Sequence, residues 1–254
     1  MQAIIMTSDK QHHCHKPFMY LFNKYWPRED FWSDGGPKIN PVFAGFTEPD
    51  NLDEYRAMSF DFYSIGKYED YPADKWSDAF IHVLDNLAEP QFLLMLEDYW
   101  PVRRIDTRGV KMLFDYCAQF SYVLKICATN ERLNNRILAG DAFPEIYGNA
   151  GYLDLIKSPP GSSYQMSLWG GVWNRDTMRP FIVPGEKAQD IELRGTTRVN
   201  AAGDSVLVLG TKQAPLIHTN VYNTARGDEV DYSIGPYRVG PQELEYMRER
   251  EWIE

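Results

Sequence analysis

Short apolar runs alternate with helical stretches along the first half of the chain. AIIMT at 3–7 predicts a buried strand, and the polar SDKQHHCHKP after it predicts a turn. FMYLFNKYW has helical apolar spacing and stops at Pro27. PVFAGF at 41–46 and FDFYSIG at 60–66 predict a second and a third strand. Pro72, Ala73 and Asp74 lead into KWSDAFIHVLDNL, where Trp76, Phe80, Val83, Leu84 and Leu87 share one side of a helix. QFLLML is a fourth strand, TRGVKMLFDYCAQF a second amphipathic helix and YVLKIC a further strand. This alternation predicts an α/β fold with a mainly parallel sheet flanked by helices.

The pattern changes after residue 140, where Gly, Pro, Ser and Tyr are dense. YLDLI and YQMSLWGGVWN predict strands with a loop between them. RDTMRPFIV and EKAQDIELRG predict short helices, VLVLG and APLIHTNVYN strands, and PQELEYMREREWI a closing helix. There is no repeat and no low-complexity linker, so the expectation is one domain over 1–254 with both halves sharing a core.

Composition narrows the function. The net charge of −10 gives no help in holding a polyanion, which disfavours tight nonspecific DNA binding. The three cysteines, Cys14, Cys117 and Cys127, form no CxxC pair, so a disulfide framework is not expected and a reducing compartment fits better. The first residues lack the basic and apolar regions of a signal peptide, and no stretch reaches the length of a membrane span. A soluble cytoplasmic protein is expected.

Candidate chemistry begins at FLLMLEDYW, where a greasy strand runs into the adjacent carboxylates Glu97 and Asp98. In open α/β sheets ligands bind beyond the carboxyl ends of the strands, which places Thr7, Ser8 and Asp9 on the same edge as that pair. A metal-bridged phosphate is the natural occupant, because hard cations take carboxylate oxygens and bridge phosphates. The alternative is a pair of turn residues, and Asp9 can equally be an Asx-turn residue. HHCH at 12–15 is too closely spaced to wrap one tetrahedral zinc ion and is read as a solvated loop.

The blocks IIMTSDKQHHCHKPFMYLFNKYWP, KWSDAFIHVLDNLAEPQFLLMLEDYW and MSLWGGVWNRDTMRPFIVPGEKAQDIELRGTTRV, in this order, resemble the GT-A-type glycosyltransferases found in bacterial surface-polysaccharide loci and tailed-phage genomes. The resemblance runs from the first strand to about His218. It implies a Rossmann-like half, 1–130, that holds a nucleotide-sugar, and an acceptor-binding half, 131–254. It also implies Mn²⁺ or Mg²⁺ held by a DxD-type motif on the donor's diphosphate. The corresponding segment here is LEDYW, not a strict DxD. Asp98 is then the metal ligand, with Glu97 and Tyr99 beside it on the donor and His218 returning as a second ligand. Some members replace the metal with basic groups, and Lys75, Arg103 and Arg104 lie nearby in sequence.

On the same resemblance Asp9 meets the base or ribose, and Lys75, Trp76 and Ser77 form a donor-binding lip. Their other reading is the first turn of a helix with a packed tryptophan. Trp169, Gly170 and Trp173 form an acceptor platform, the alternative being two core tryptophans in a strand whose glycines mark a bulge. Inverting transfer needs a base near the acceptor hydroxyl. Asp176, Glu186, Asp190 and Glu192 are the candidates. Asp176 and Glu186 read as helix-start residues, and Glu192, beside LRGTTRV, is the choice. The acceptor is a glycan, a virion protein or a hydroxymethylated base of phage DNA. A non-catalytic carbohydrate- or virion-associated module with the same fold is the second reading.

Overall fold

The computed structural model describes residues 1–26, 38–134, 144–221 and 237–253. The first half runs β1 (Gln2–Met6), α1 (His15–Tyr25), β2 (Asn40–Gly45), α2 (Leu52–Ala57), β3 (Asp61–Ser64), α3 (Trp76–Asn86), β4 (Gln91–Leu96), β5 (Tyr99–Pro101), α4 (Thr107–Gln119) and β6 (Val123–Cys127). The second half runs α5 (Glu131–Asn134), β7 (Glu145–Ala150), β8 (Leu153–Lys157), β9 (Gly171–Asn174), α6 (Arg175–Met178), α7 (Ala188–Ala202), β10 (Leu207–Thr211), β11 (His218–Asn220) and α8 (Pro241–Arg248).

Among the described residues nine strands form one sheet in the order β3-β2-β1-β4-β9-β6-β10-β8-β7. All of them except β8 and β9 run in the same direction. The fold is therefore α/β with a mainly parallel sheet and helices on both faces. Period-two alternation along the strands divides the core. Ala3, Ile5, Leu93 and Met95 pack with Phe18 and Phe22 of α1 and Leu113 of α4. Ile4, Met6, Phe92 and Leu94 pack with Phe80 and Val83 of α3 and Ile191 of α7. Because both faces are covered, these strands read as unbroken apolar runs rather than alternating ones. Each such side chain contributes roughly 1.5–3 kcal/mol on burial, so a charge placed among them must be met by partners.

The two halves are stitched together by β9, which inserts antiparallel between β4 and β6. The strand expected over 164–174 is thus only its last four residues. Residues 164–169 stay out of the ladder, with side chains taking up the Tyr164 and Ser167 carbonyls and the Met166, Leu168 and Trp169 N–H groups. The expected polar turn at 8–17 is also different. Asp9–Cys14 form a 3-10 helix and His15 opens α1, with Cys14 and His15 fully buried. The helix begun at EKAQDIELRG continues across TTRV to Ala202 and ends at Gly203, whose φ of +57° suits a residue without a Cβ. Of APLIHTNVYN only His218–Asn220 pair, against β5, and Tyr222 and Asn223 lie outside the described residues. No helix among the described residues is long and apolar enough to cross a membrane.

Candidate functional site

The register of the sheet decides which segments meet. Met6 stands opposite Leu96, so residues 7–9 and 97–99 leave the sheet side by side. The antiparallel β9 has its amino end at this same edge, with Gly171 opposite Leu94 and Cys127. Ala128 then donates to Gly170 O at 3.1 Å, and Leu216 donates to Ala128 O at 2.9 Å. Segments 7–9, 97–99, 128–131, 167–170 and 216–218 are thereby gathered at one edge.

Glu97 and Asp98 form the turn between β4 and β5. Trp100 Nε1 donates to Glu97 O at 3.0 Å and Val221 N to Asp98 O at 3.0 Å, so the turn is held through its carbonyls. The carboxylates are not used this way. Burial, and then the Asp98 charge beside it, push Glu97 well above the usual carboxylate range. Burial pushes Asp98 up to about 7. Asp98 Oδ1 is enclosed and has no hydrogen-bond partner. A buried, unpaired carboxylate oxygen is costly enough to demand an explanation.

The pairing of β11 with β5 lays His218 on Tyr99, with ring centroids 4.8 Å apart and planes 9° from parallel. Trp169 meets the edge of His218 at 5.4 Å and of Tyr99 at 6.0 Å. Both ring nitrogens of His218 are buried without a partner. Burial lowers its pKa to about 4, so the imidazole is neutral at physiological pH and has a lone pair to offer. Burial, and then the charges of Asp98, Glu192, Glu131 and Glu97, raise the Tyr99 hydroxyl well above its ordinary value. Glu192 reaches the site from α7, where its Oε1 accepts the Leu168 N–H at 2.8 Å. Burial raises the Glu192 carboxyl, and the bond from Leu168 opposes the rise. Gly170 admits this arrangement, because a Cβ there would stand 2.7 Å from Leu216 Cδ2 and 3.6 Å from His218 Cδ2.

The structure thus brings Asp98, Tyr99, Trp169, Gly170, Glu192 and His218 together. The remaining expected residues have other engagements. Asp9 accepts from the Thr47 N–H at 3.0 Å and the Thr47 hydroxyl at 2.6 Å, which ties the loops after β1 and β2. The Thr7 hydroxyl is bonded to His15 Nε2 at 2.7 Å, and His15 Nδ1 to the Tyr55 hydroxyl at 2.7 Å. Ser8 precedes the 3-10 helix without a side-chain cap.

Ser77 is fully buried and is not at a donor lip. It donates its N–H to Glu186 O at 2.9 Å, and its hydroxyl accepts the Glu186 N–H at 2.8 Å, which fastens α3 to the approach of α7. Trp76 packs on Phe80 at 5.1 Å, and Lys75 is exposed. Trp173 sits in the core with Lys125 Nζ over its ring at 4.8 Å, so it has no open face for a sugar. Glu186 is held by two bonds from Arg198, at 2.8 and 2.7 Å. Asp190 pairs with Arg194 at 3.4 Å. Asp176 pairs with Arg175, and Asn174 rather than Asp176 caps α6.

Sequence reasoning missed a buried ionic cluster next to Glu192. Lys125, fully buried in β6, approaches Glu131 Oε2 at 3.4 Å and donates to Ser167 O at 2.5 Å. The Cys127 thiol faces Glu131 Oε2 at 3.2 Å, and Arg132 donates to Cys127 Sγ, Gln165 Oε1 and Tyr164 O. Burial alone would raise Glu131, but the charges of Lys125 and Arg132 together with hydrogen bonds from Ser167 and Cys127 outweigh it and hold the carboxyl below its usual range. The signal was a lysine inside the apolar run YVLKIC. Gly210 makes room for Arg132, since a Cβ there would lie 2.5 Å from Arg132 Cγ and 2.6 Å from Arg132 Cβ. Gly210→Ala is expected to destabilise the fold by about 1–3 kcal/mol, the usual range for overpacking, read from the urea midpoint at unchanged m-value.

No protein-family model and no curated protein matches the sequence. Several solved structures are similar in shape. Glucosyl-3-phosphoglycerate synthase from Mycobacterium tuberculosis, in complex with Mg²⁺ and uridine diphosphate, aligns over 89% of this chain and 72% of its own at a TM-score of 0.49 and 9% identity. The same enzyme in complex with phosphoglyceric acid gives 89% and 73% coverage, a TM-score of 0.47 and 10% identity. TarS 1–349 from S. aureus gives 83% and 56% coverage, a TM-score of 0.47 and 11% identity.

Proposed function

We propose that this chain is a GT-A-type glycosyltransferase. It moves a sugar from a nucleotide-sugar to an acceptor hydroxyl, with help from a divalent metal and with inversion at the sugar carbon. The observation that carries this reading is that Asp98 Oδ1 and both ring nitrogens of His218 are buried without partners at a ligand-binding edge of the sheet, where His218 stacks on Tyr99.

These groups fit a metal in kind, one carboxylate oxygen and one neutral imidazole. Among the described residues no three His, Cys, Asp or Glu side chains gather to enclose an ion. That suits a cation such as Mg²⁺, which takes one or two protein ligands and the rest from phosphate and water. Asp98 and His218 would hold Mn²⁺ or Mg²⁺, and the ion would offset the charge that develops on the leaving diphosphate. Glu97, next to Asp98 in the turn, would orient it. The half 1–130 takes the donor, and residues 131–254 take the acceptor.

Trp169 forms the acceptor wall, and the missing side chain of Gly170 lets Leu216 and His218 pack beside it. Glu192 takes the proton of the attacking hydroxyl, and the raised basicity that burial gives its carboxylate suits that task. The acceptor is a glycan, a virion protein or a hydroxymethylated base. The overall acidity favours the first two over duplex DNA, in which a base must also be flipped out.

Thermal unfolding with UDP, GDP, CDP and dTDP, each with and without Mn²⁺, tests this reading. One nucleotide is expected to raise the Tm by roughly 5–10 °C at a hundredfold excess over its Kd, and only with the metal, because ligand that binds the native state stabilises it by about 2.7 kcal/mol at that ratio. No shift with any nucleotide leaves a non-catalytic module with this fold as the better account.

A further inference from the structure

One peptide plane next to the site is held at both ends by charged side chains. The Ser167 carbonyl accepts from Lys125 Nζ at 2.5 Å. The Leu168 N–H, on the other side of the same peptide bond, donates to Glu192 Oε1 at 2.8 Å. The plane can neither turn nor slide without breaking a charge-assisted bond, and such bonds are the stronger kind. The flanking residues are fixed in the same way. Met166 N donates to Thr196 Oγ1 at 3.1 Å, and Tyr164 O accepts from Arg132. This is why 164–169 form no strand although their sequence alternates like one. The next residue, Trp169, is the ring that meets Tyr99 and His218.

We propose that Lys125 and Glu131 are a buried positioning pair for the acceptor side of this site. Lys125 pins the Ser167–Leu168 plane against Glu192, so the pair sets both the Trp169 ring and the direction of the Glu192 carboxylate. The geometric part stands on the hydrogen bonds alone. The catalytic part rests on the glycosyltransferase reading given above. Glu131 holds the Lys125 ammonium in place with a charge that needs no solvent, since both side chains are enclosed. The chain thereby reaches a rigid aromatic wall at a loop, where wall residues usually wander. Glu192 keeps one oxygen on the loop and leaves the other for chemistry.

The test compares Glu192→Gln, Glu192→Met and the charge-neutral double variant Lys125→Met with Glu131→Gln. Its readout is the imidazole NMR signal of His218, assigned by its loss in His218→Gln. That ring is stacked on Tyr99 and edge-on to Trp169, so its shift reports the position of Trp169. His15, stacked on Phe43 at 4.1 Å, is the internal control. Glutamine keeps the carbonyl that accepts the Leu168 N–H, so Glu192→Gln is expected to leave the His218 signal in place.

Glu192→Met removes the acceptor and is expected to move the signal, as is the double variant, with His15 unmoved. In the double variant, turnover falls by roughly tenfold to a hundredfold while affinity for the selected nucleoside diphosphate with Mn²⁺ is kept, the pattern of misplaced reacting groups. An unmoved His218 signal in folded Glu192→Met overturns the proposal even if the double variant fails to fold. A moved signal together with near-normal turnover in Glu192→Gln upholds the positioning of the loop and removes Glu192 as base. The two readings therefore fail separately.

Discussion

Glu192→Gln is expected to lower sugar transfer by at least about a hundredfold and to leave nucleoside diphosphate affinity nearly unchanged. The substitution is mild in every respect but one. Glutamine has nearly the same shape, keeps an oxygen for the Leu168 N–H and does not disturb the Glu192 main-chain carbonyl, to which the Thr196 hydroxyl donates at 2.5 Å. It cannot take a proton. The nearby carboxylates are poorer substitutes, since Asp190 is paired with Arg194 and Glu186 is closed off by Arg198. Steady-state kinetics with the nucleotide-sugar chosen by thermal shift, together with calorimetry of the diphosphate, give the two numbers. Near-normal turnover moves the mechanism to one that needs no base on this helix.

Asp98→Asn is the second large effect, and it separates binding from folding by sign. The variant is expected to lose the metal-dependent part of nucleotide stabilisation while the protein without ligand becomes no less stable. Glu97 is buried here, Asp98 is half-buried with its Oδ1 enclosed and without a partner, and burial pushes both carboxyls toward neutrality. Replacing one with an amide removes a like-charge neighbour and a desolvation cost. A merely structural Asp98 would show the opposite pattern, a lower Tm alone and an unchanged response to Mn²⁺. Thermal unfolding of wild type and variant, each with and without nucleotide and metal, distinguishes them. Glu97→Gln is expected to be milder if Glu97 only orients Asp98.

The conformation of the turn explains why two acids stand together at the end of a greasy strand. The chain must reverse after Leu96 to send Tyr99–Pro101 to pair with His218–Asn220. Turn residues tolerate carboxylates, but a turn at the exposed surface would leave them solvated. Here β11 covers the turn, and the cost of that cover is what a cation would relieve.

The alternation of short apolar runs with 3.6-period stretches determined the sheet strands β1 to β4 and β6, the helices α1, α3 and α4, and the edge where Thr7 and Asp98 emerge. Those elements are local. Burial on both faces forces unbroken apolar strands, and burial on one face forces a stripe on a helix, so the pattern is written in neighbouring residues. Asp98 and His218 were legible as strand-end groups, and Glu192 through the resemblance of the block around it. Only the tertiary structure decided the rest. YQMSLWGGVWN reads as one strand, but the long-range insertion of β9 between β4 and β6 buries Trp173, while Lys125, Glu192, Thr196 and Arg132 draw residues 164–168 out of the ladder. The pairing of β11 with β5 across more than a hundred residues placed His218 on Tyr99. Partners that far apart leave no local period, because what selects them is the satisfaction of buried polar groups in the folded chain.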